Sequence, residues 1–237
     1  MVSTESYKGQ HLEAATELKN YYQWIISAAR PYLGGRGTEY GAGIGTVSAL
    51  MRPFMQHLEL VEPSPDRGAA LSRRFDGDPG VTIVVDTLEG HLPGVMDKSR
   101  DALVLINVLE HIEDDDGALA QFHRVLKPGG HLVLFVPALS FLFSDLDALA
   151  KHYRRYHLKP MRRQVEAAGL EICIARYMDV LGIVPWWLVN TLGGKKNLDL
   201  RMTRAYDHFG VPATRFIEGL IPAPIGKSIL LVAKRPS

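Results

Sequence analysis

The chain has 237 residues, 46% of them hydrophobic and 22% charged, with a formal net charge of +1. That balance suits one globular domain carrying an insertion, and it gives neither the basic footprint of a nucleic-acid binder nor an acidic tail. Cys173 is the single cysteine, which excludes an internal disulfide and a cysteine-rich metal site and suits a reducing, cytoplasmic compartment.

Met1 to Lys8 lacks the apolar core of a signal peptide, and no apolar run approaches the roughly 18–20 residues of a membrane span. Gln10 to Tyr32 spaces Leu12, Ala15, Leu18, Tyr22, Ile25, Ile26 and Ala29 as one helix face, before Pro31 and Gly34-Gly35 stop it. Thr38 to Tyr40 then end a strand and Thr46 to Met51 open a helix. Between them stand Gly41, Gly43 and Gly45, directly after Glu39. Glycines there let the backbone turn tightly and approach a ligand. The dinucleotide fingerprint wants G-x-G-x-x-G, and this turn reads G-x-G-x-G. It is a nucleoside-binding turn without an evident diphosphate cradle, which points from NAD towards S-adenosylmethionine.

His57 to Val61 form a strand that stops at Glu62-Pro63, placing Glu62 at its tip. That is close to the offset of about 20 residues at which an acid meets ribose hydroxyls in doubly wound folds. Asp66 to Phe75 read as a helix, and Val81 to Val85 as a strand finishing at Asp86-Thr87. Asp101 to Ile106 form an apolar strand of the doubly buried kind. Asp115 to Leu126 are a helix closed by Lys127-Pro128-Gly129-Gly130, and His131 to Pro137 the fifth strand. A helix over Lys159 to Ala168, a strand over Leu170 to Tyr177 and a last strand over Ser228 to Ala233 complete the alternation. Two segments break it, residues 138–158 and 178–227. Both follow late strands, so they are expected to be insertions capping a substrate site on a single domain spanning 1–237.

The glycine turn, Glu62, Asp86, the run Ile106-Asn107-Val108-Leu109-Glu110-His111-Ile112 and the Leu126 to Gly130 turn together resemble the class I S-adenosylmethionine-dependent methyltransferases over residues 10–177 and the final strand. The resemblance implies an α/β, Rossmann-like sheet of seven mostly parallel strands with helices on both faces, the last strand inserted antiparallel. It implies S-adenosylmethionine as cofactor, no metal, and methyl transfer to a small, partly hydrophobic acceptor. Asp86 would accept from the adenine amino group, with Thr87 or Leu88 offering a backbone N–H. The plainer reading of Asp86 is a helix cap. Glu39 would hold the methionine ammonium through water, and Asn107 would line the methionine end.

Methyl transfer asks the protein mainly to align two partners and exclude water. His111, just past the fourth strand, is a candidate base, with His152 the second. Lys151-His152-Tyr153-Arg154-Arg155-Tyr156 contains an H-x-R-R-Y segment found in a subset of these enzymes, and Asp145 and Asp147 upstream can pair with the arginines. Tyr153, Arg154 and Arg155 are therefore candidate acceptor-binding or cap-organising residues. Tyr177, Trp186 and Trp187 offer an aromatic lining, and Tyr7, His11 and Tyr21 could close the site from the N-terminal side. Two rival readings remain at this stage: an NAD-dependent oxidoreductase, and a non-catalytic S-adenosylmethionine-binding partner protein.

Overall fold

A computed structural model of the chain describes residues 17–194 and 199–237. The strands are β1 (Arg36–Tyr40), β2 (His57–Val61), β3 (Val81–Val84), β4 (Arg100–Ile106), β5 (Leu126–Pro137), β6 (Glu171–Met178) and β7 (Ser228–Lys234). They form one sheet in the order β3-β2-β1-β4-β5-β7-β6. The first five are parallel, and β7 runs antiparallel between β5 and β6. In the middle of the sheet, Ala102 to Leu105 and Leu132 to Val136 are buried on both faces. That is why these strands read as unbroken apolar runs.

Helices cover both faces. On one side α1 (Lys19–Ala29), α2 (Thr46–Met51) and α3 (Pro65–Arg74) bury Trp24, Ile25, Met51 and Leu71 against the sheet. On the other, α4 (Leu88–His91), α5 (Asp115–Val125) and α7 (Leu158–Ala167) bury Leu88, Phe122, Met161 and Val165. The short α6 (Asp145–Leu149) lies between β5 and α7. Residues 179–227 divide into α8 (Ile183–Trp186), a wide-turn helix Trp187–Leu192, α9 (Leu200–Ala205), a second wide turn Tyr206–Gly210, and α10 (Val211–Leu220). Gly193 and Gly194 close the first of these runs as the sequence suggests, whereas Gly210 and Pro212 lie inside continuous helix over 200–220.

Polar side chains pin the late segment to the sheet. Asp207 accepts the backbone N–H groups of Asn20 at 3.0 Å and Tyr21 at 3.0 Å, satisfying the open amino end of α1. Glu218 accepts the N–H of Val180 at 2.9 Å, and the hydroxyl of Tyr206 donates to Asp179. Lys227 Nζ lies 2.7 Å from the other oxygen of Asp179, an ion pair outside hydrogen-bond angles, and sits over the rings of Tyr21, Trp186 and Tyr206.

Two element boundaries differ from expectation. The helix α5 ends at Val125, and Leu126 already pairs with Arg100, so Lys127 to Gly130 run inside β5 instead of forming a separate turn. A register shift between Arg100 and Ala102 absorbs the change. A Cβ on Gly130 would stand 2.9 Å from the Lys127 carbonyl oxygen and 3.0 Å from that of Arg100, so the strand can bend there only around a glycine. At the other boundary α1 stops at Ala29, and Arg30–Tyr32 tighten into a 3-10 turn with Pro31 inside it.

Candidate functional site

Tyr40, Val61, Val84 and Leu105 are neighbours in register, so the segments after β1, β2, β3 and β4 all leave the same carboxyl edge. Gly41, Gly43 and Gly45 have φ of 71°, 59° and 82°, left-handed values that favour glycine. A Cβ on Gly41 would sit 2.5 Å from Val108 Cγ2, and one on Gly45 2.8 Å from the Phe75 ring. At Gly43 a Cβ would meet nothing within 4 Å, so this backbone borders open space.

Glu62 ties the turn to the tip of β2. Buried to 1% exposure, its Oε2 accepts Gly43 N–H at 2.9 Å and its Oε1 accepts Ser64 N–H at 3.1 Å, with Arg67 Nη1 at 3.4 Å. A carboxylate offers about four acceptor sites, so these three donors do not saturate it. Glu39 is buried with its Oε2 accepting Ser48 Oγ from α2, and burial first, then the nearby Glu62, pushes its pKa up to about 8. The Ser48 hydroxyl opposes that shift. Asn107 has φ of 53° while its N–H still bonds the Phe135 carbonyl of β5 at 2.8 Å, so the strand ends there in left-handed backbone.

Thr87, not Asp86, caps α4: its Oγ1 accepts Gly90 N–H at 3.0 Å. Asp86 stands one residue earlier, half-buried, with Oδ1 on the N–H of Thr87 at 2.7 Å. Capping therefore does not account for Asp86. Leu88 buries its side chain in the core and keeps its backbone amide in the first turn of α4.

After β4 comes a 3-10 turn, Leu109–His111, that brings Glu110 and His111 beside His152. Glu110 is fully buried, and neither carboxyl oxygen has a hydrogen-bond partner among the described residues. Burial pushes its pKa up to about 8, so it is a neutral acid at pH 7. The rings of His111 and His152 meet edge to face at 4.5 Å. His111 is exposed by surface area, yet desolvation by the surrounding protein, with His152 beside it, lowers its pKa to about 4. His152 Nδ1 lies 3.0 Å from Asp147 Oδ1, and its Nε2 lies 4.0 Å from Glu110. Asp147 is held ionised at about 2 against the cost of burial by His152, Arg155 and Ser144. An ionised carboxylate only accepts, so the His152 nitrogen facing it, Nδ1, carries a proton, and Nε2 is the nitrogen turned towards Glu110. Glu110, His111 and His152 bring one ligand atom each within 4.8 Å of one another, a set of the kind a divalent ion would also take.

The two arginines of the basic run are held by the scaffold. Arg155 donates from Nε and Nη2 to the two oxygens of Asp147, both at 3.0 Å, and from Nη1 to the Ala138 carbonyl at 3.2 Å, and stacks on Trp186 at 4.9 Å. Arg154 pairs with Asp115 at 2.6 Å and donates to the Glu113 carbonyl at 2.7 Å. These contacts fit an organising role for both arginines. Tyr153 remains exposed at 54%, with its backbone N–H on the Glu110 carbonyl. Trp186 turns inward, its Nε1 donating to the Leu142 carbonyl at 3.0 Å, whereas Trp187 is 40% exposed. The Tyr177 hydroxyl accepts the Leu158 N–H at 3.2 Å, which ties it to α7. Tyr21 is buried, 3.3 Å from Ser228 Oγ. Tyr7 and His11 lie outside the described residues.

Sequence reasoning took Asp147 as a partner for the arginines and missed its larger part. Ser144 and Asp147 form a reciprocal capping box at the start of α6, and the same Asp147 then orients His152 and Arg155. The S-x-x-D spacing of Ser144-Asp145-Leu146-Asp147 is a readable signal for that box. Nothing in the spacing identifies Ser48 as the partner of Glu39.

A family model described as a methyltransferase domain matches residues 15–173. The chain belongs to the class I S-adenosylmethionine-dependent methyltransferases. It is 32% identical over 109 residues to a ubiquinone/menaquinone biosynthesis C-methyltransferase of Rubrivivax gelatinosus, covering 46% of this chain and 42% of that protein. The chain spans about half the length of the curated relatives it matches, 47% and 50% in two further cases. Its fold is shared with a chain of the Haloferax volcanii complex between the Trm112 methyltransferase activator and its methyltransferase, at a TM-score of 0.64 and 16% identity, covering 100% and 99% of the two chains. It is shared too with Haemonchus contortus phosphoethanolamine N-methyltransferase 2 bound to S-adenosyl-L-methionine, at a TM-score of 0.62 and 18% identity, covering 90% and 52%. S-adenosylmethionine is the cofactor of this family. No helix among the described residues is long and apolar enough to cross a membrane.

Proposed function

We propose that this chain transfers the methyl group of S-adenosylmethionine to a small, partly apolar acceptor held between the cofactor edge and the insertions at 138–158 and 178–227. One observation carries the reading: the open backbone at Gly43 lies beside two buried carboxylates, Glu39 and Glu62, on the edge that the family uses for its cofactor. Bound there, S-adenosylmethionine supplies an activated methyl group. The residues of the chain do the rest. Glu62 receives a ribose hydroxyl, Asp86 the adenine amino group with Thr87 and Leu88 beside the ring, Glu39 the ammonium, and Asn107 lines the methionine end.

His152 is the favoured base. Asp147 fixes its tautomer and would stabilise the imidazolium once Nε2 has taken the acceptor's proton. His111, with its pKa near 4, is neutral at pH 7 but weakly basic, so it ranks second. Of the aromatic candidates named from the sequence, Trp187 and Tyr153 are exposed and open to an acceptor, and Phe141 in the first insertion is exposed as well. The apolar residues of the insertion, Val184 and Leu188 among them, favour an acceptor with an apolar part. The reaction class is consistent with a cytoplasmic enzyme.

Two experiments test this. Calorimetry should show S-adenosylhomocysteine binding and no NADH binding; the reverse overturns the assignment. A radiolabelled methyl assay against phenols, amines and carboxylic acids with alkyl tails should yield an acceptor, after which His152→Ala should lower turnover by roughly 10²–10⁴ at nearly constant cofactor affinity. Full activity in His152→Ala, His111→Ala and the double variant would leave alignment alone as the source of rate. Loss of activity on chelation would instead give the Glu110, His111 and His152 set to a metal.

A further inference from the structure

One buried acid has no part in the cofactor reading. Glu110 shows 0% exposure, and neither of its carboxyl oxygens meets a hydrogen-bond donor among the described residues. Such a group costs free energy unless something supplies a partner, so what stands beside it decides its use. Beside it stand two imidazoles. His152 Nε2 is 4.0 Å from Glu110 Oε1, and one ligand atom from each of Glu110, His111 and His152 lies within 4.8 Å of the other two.

The scaffold holds this set in place. Glu110 and His111 belong to the 3-10 turn after β4, and His152 to the segment after α6. The N–H of Tyr153 on the Glu110 carbonyl, at 2.8 Å, laces the two segments together. His152 is gripped twice by one residue: its backbone N–H bonds the Asp147 carbonyl at 2.9 Å, and its Nδ1 meets Asp147 Oδ1 at 3.0 Å. Ser144 and Arg155 in turn hold the Asp147 carboxylate. A carboxylate behind an imidazole is the usual support of a histidine that binds a metal through its other nitrogen. Here that other nitrogen is Nε2, the one turned towards Glu110.

The donors select the ion. Two imidazole nitrogens and one carboxylate oxygen, without a thiolate, suit a divalent first-row ion such as zinc, whereas magnesium and calcium ask for oxygen ligands. Ligands about 2.1 Å from zinc stand about 3.4 Å apart across a tetrahedral angle, so side-chain shifts of about 1 Å close the set. The ion would give Glu110 the partner that the protein does not. Exposed His111 gives it a way in from solvent, and three protein ligands leave a position for water or an oxygen of another molecule.

We propose that Glu110, His111 and His152 form a binding site for a divalent transition-metal ion of the zinc class, supported from behind by Asp147, where the family resemblance implied no metal. The inference goes beyond the methyl-transfer reading and stands without it. Nε2 of His152 cannot hold an ion and a proton together, so His152 serves as a base only in the metal-free form.

Cobalt(II), a coloured stand-in for zinc, tests the site on the whole chain. Protein stripped with a chelator and titrated with cobalt should develop a visible absorption band that saturates at one equivalent, and zinc should displace it. Glu110→Gln, His111→Ala and His152→Ala should each weaken cobalt binding about tenfold or more. Zinc should raise the urea midpoint of the wild-type chain and leave that of Glu110→Gln unmoved, since a ligand stabilises only the form that binds it. Midpoints taken with chelator present show that each variant is folded, and Glu110→Gln keeps the shape of the side chain. Absence of the cobalt band overturns the inference. So does wild-type affinity in any of the three variants, because the ion would then sit on other side chains.

Discussion

Glu39 links burial to cofactor binding through a single proton. Its pKa near 8 means that between about 4.5 and about 8 the folded chain holds a proton that the unfolded chain has released, so the free protein loses stability as pH rises through that window. An ammonium placed against this carboxyl lowers its pKa again. Binding of S-adenosylhomocysteine near pH 7 should therefore release close to one proton. The release shows as a calorimetric enthalpy that changes with the ionisation enthalpy of the buffer and loses that dependence in Glu39→Gln. At Glu62 the expectation is an affinity loss of about 1–3 kcal/mol for Glu62→Ala, since both a ribose acceptor and the Gly43 contact disappear. Glu62→Ala with wild-type affinity in the same titration would remove the ribose role.

Among the elements, α6 and the segment after it depend on one carboxylate. Asp147 closes the capping box, neutralises Arg155 and orients His152, and both partners of its ion pair are almost wholly buried. Asp147→Asn leaves the guanidinium of Arg155 facing a neutral amide, so a loss of about 3–5 kcal/mol in urea denaturation is expected. Because its pKa is depressed to about 2 from 3.8, the wild-type contribution is present above about pH 4 and disappears as pH falls through that interval. The asparagine variant should lack this acid limb. The element also marks where the sequence could be read and where it could not. Glycine spacing and acids at strand tips were legible as the turn and strand ends at the carboxyl edge of the sheet, since each is a local backbone requirement. The fate of Arg154 and Arg155 was hidden, because the partners that decide it, Asp115, Ala138 and Trp186, come from other elements brought near only by the fold.

For the whole molecule, alternation of strand and helix foretold the α/β class, and short apolar runs located all seven strands to within a few residues. The strand order was not in that pattern. It was implied only by the family resemblance, because pairing between distant segments leaves no periodic trace. Nor did periodicity reveal that α10 turns its apolar side outward, since a helical stripe reads the same whichever way it faces. Only its tethers, Asp207 on α1 and Glu218 on Val180, settle the direction.

The place of β7 between β5 and β6 has a consequence for biosynthesis. As the chain leaves the ribosome, β1 to β5 can find their neighbours in turn. When β6 emerges it has none, because its partner arrives only after residues 179–227 have been made. Until then the outer edge of β5 and both edges of β6 are open to other chains. Pulse-labelled hydrogen exchange during refolding should find the amides of β1 and β4 protected before those of β6 and β7. Simultaneous protection of all four would mean that the late segment folds back early enough to shield the gap.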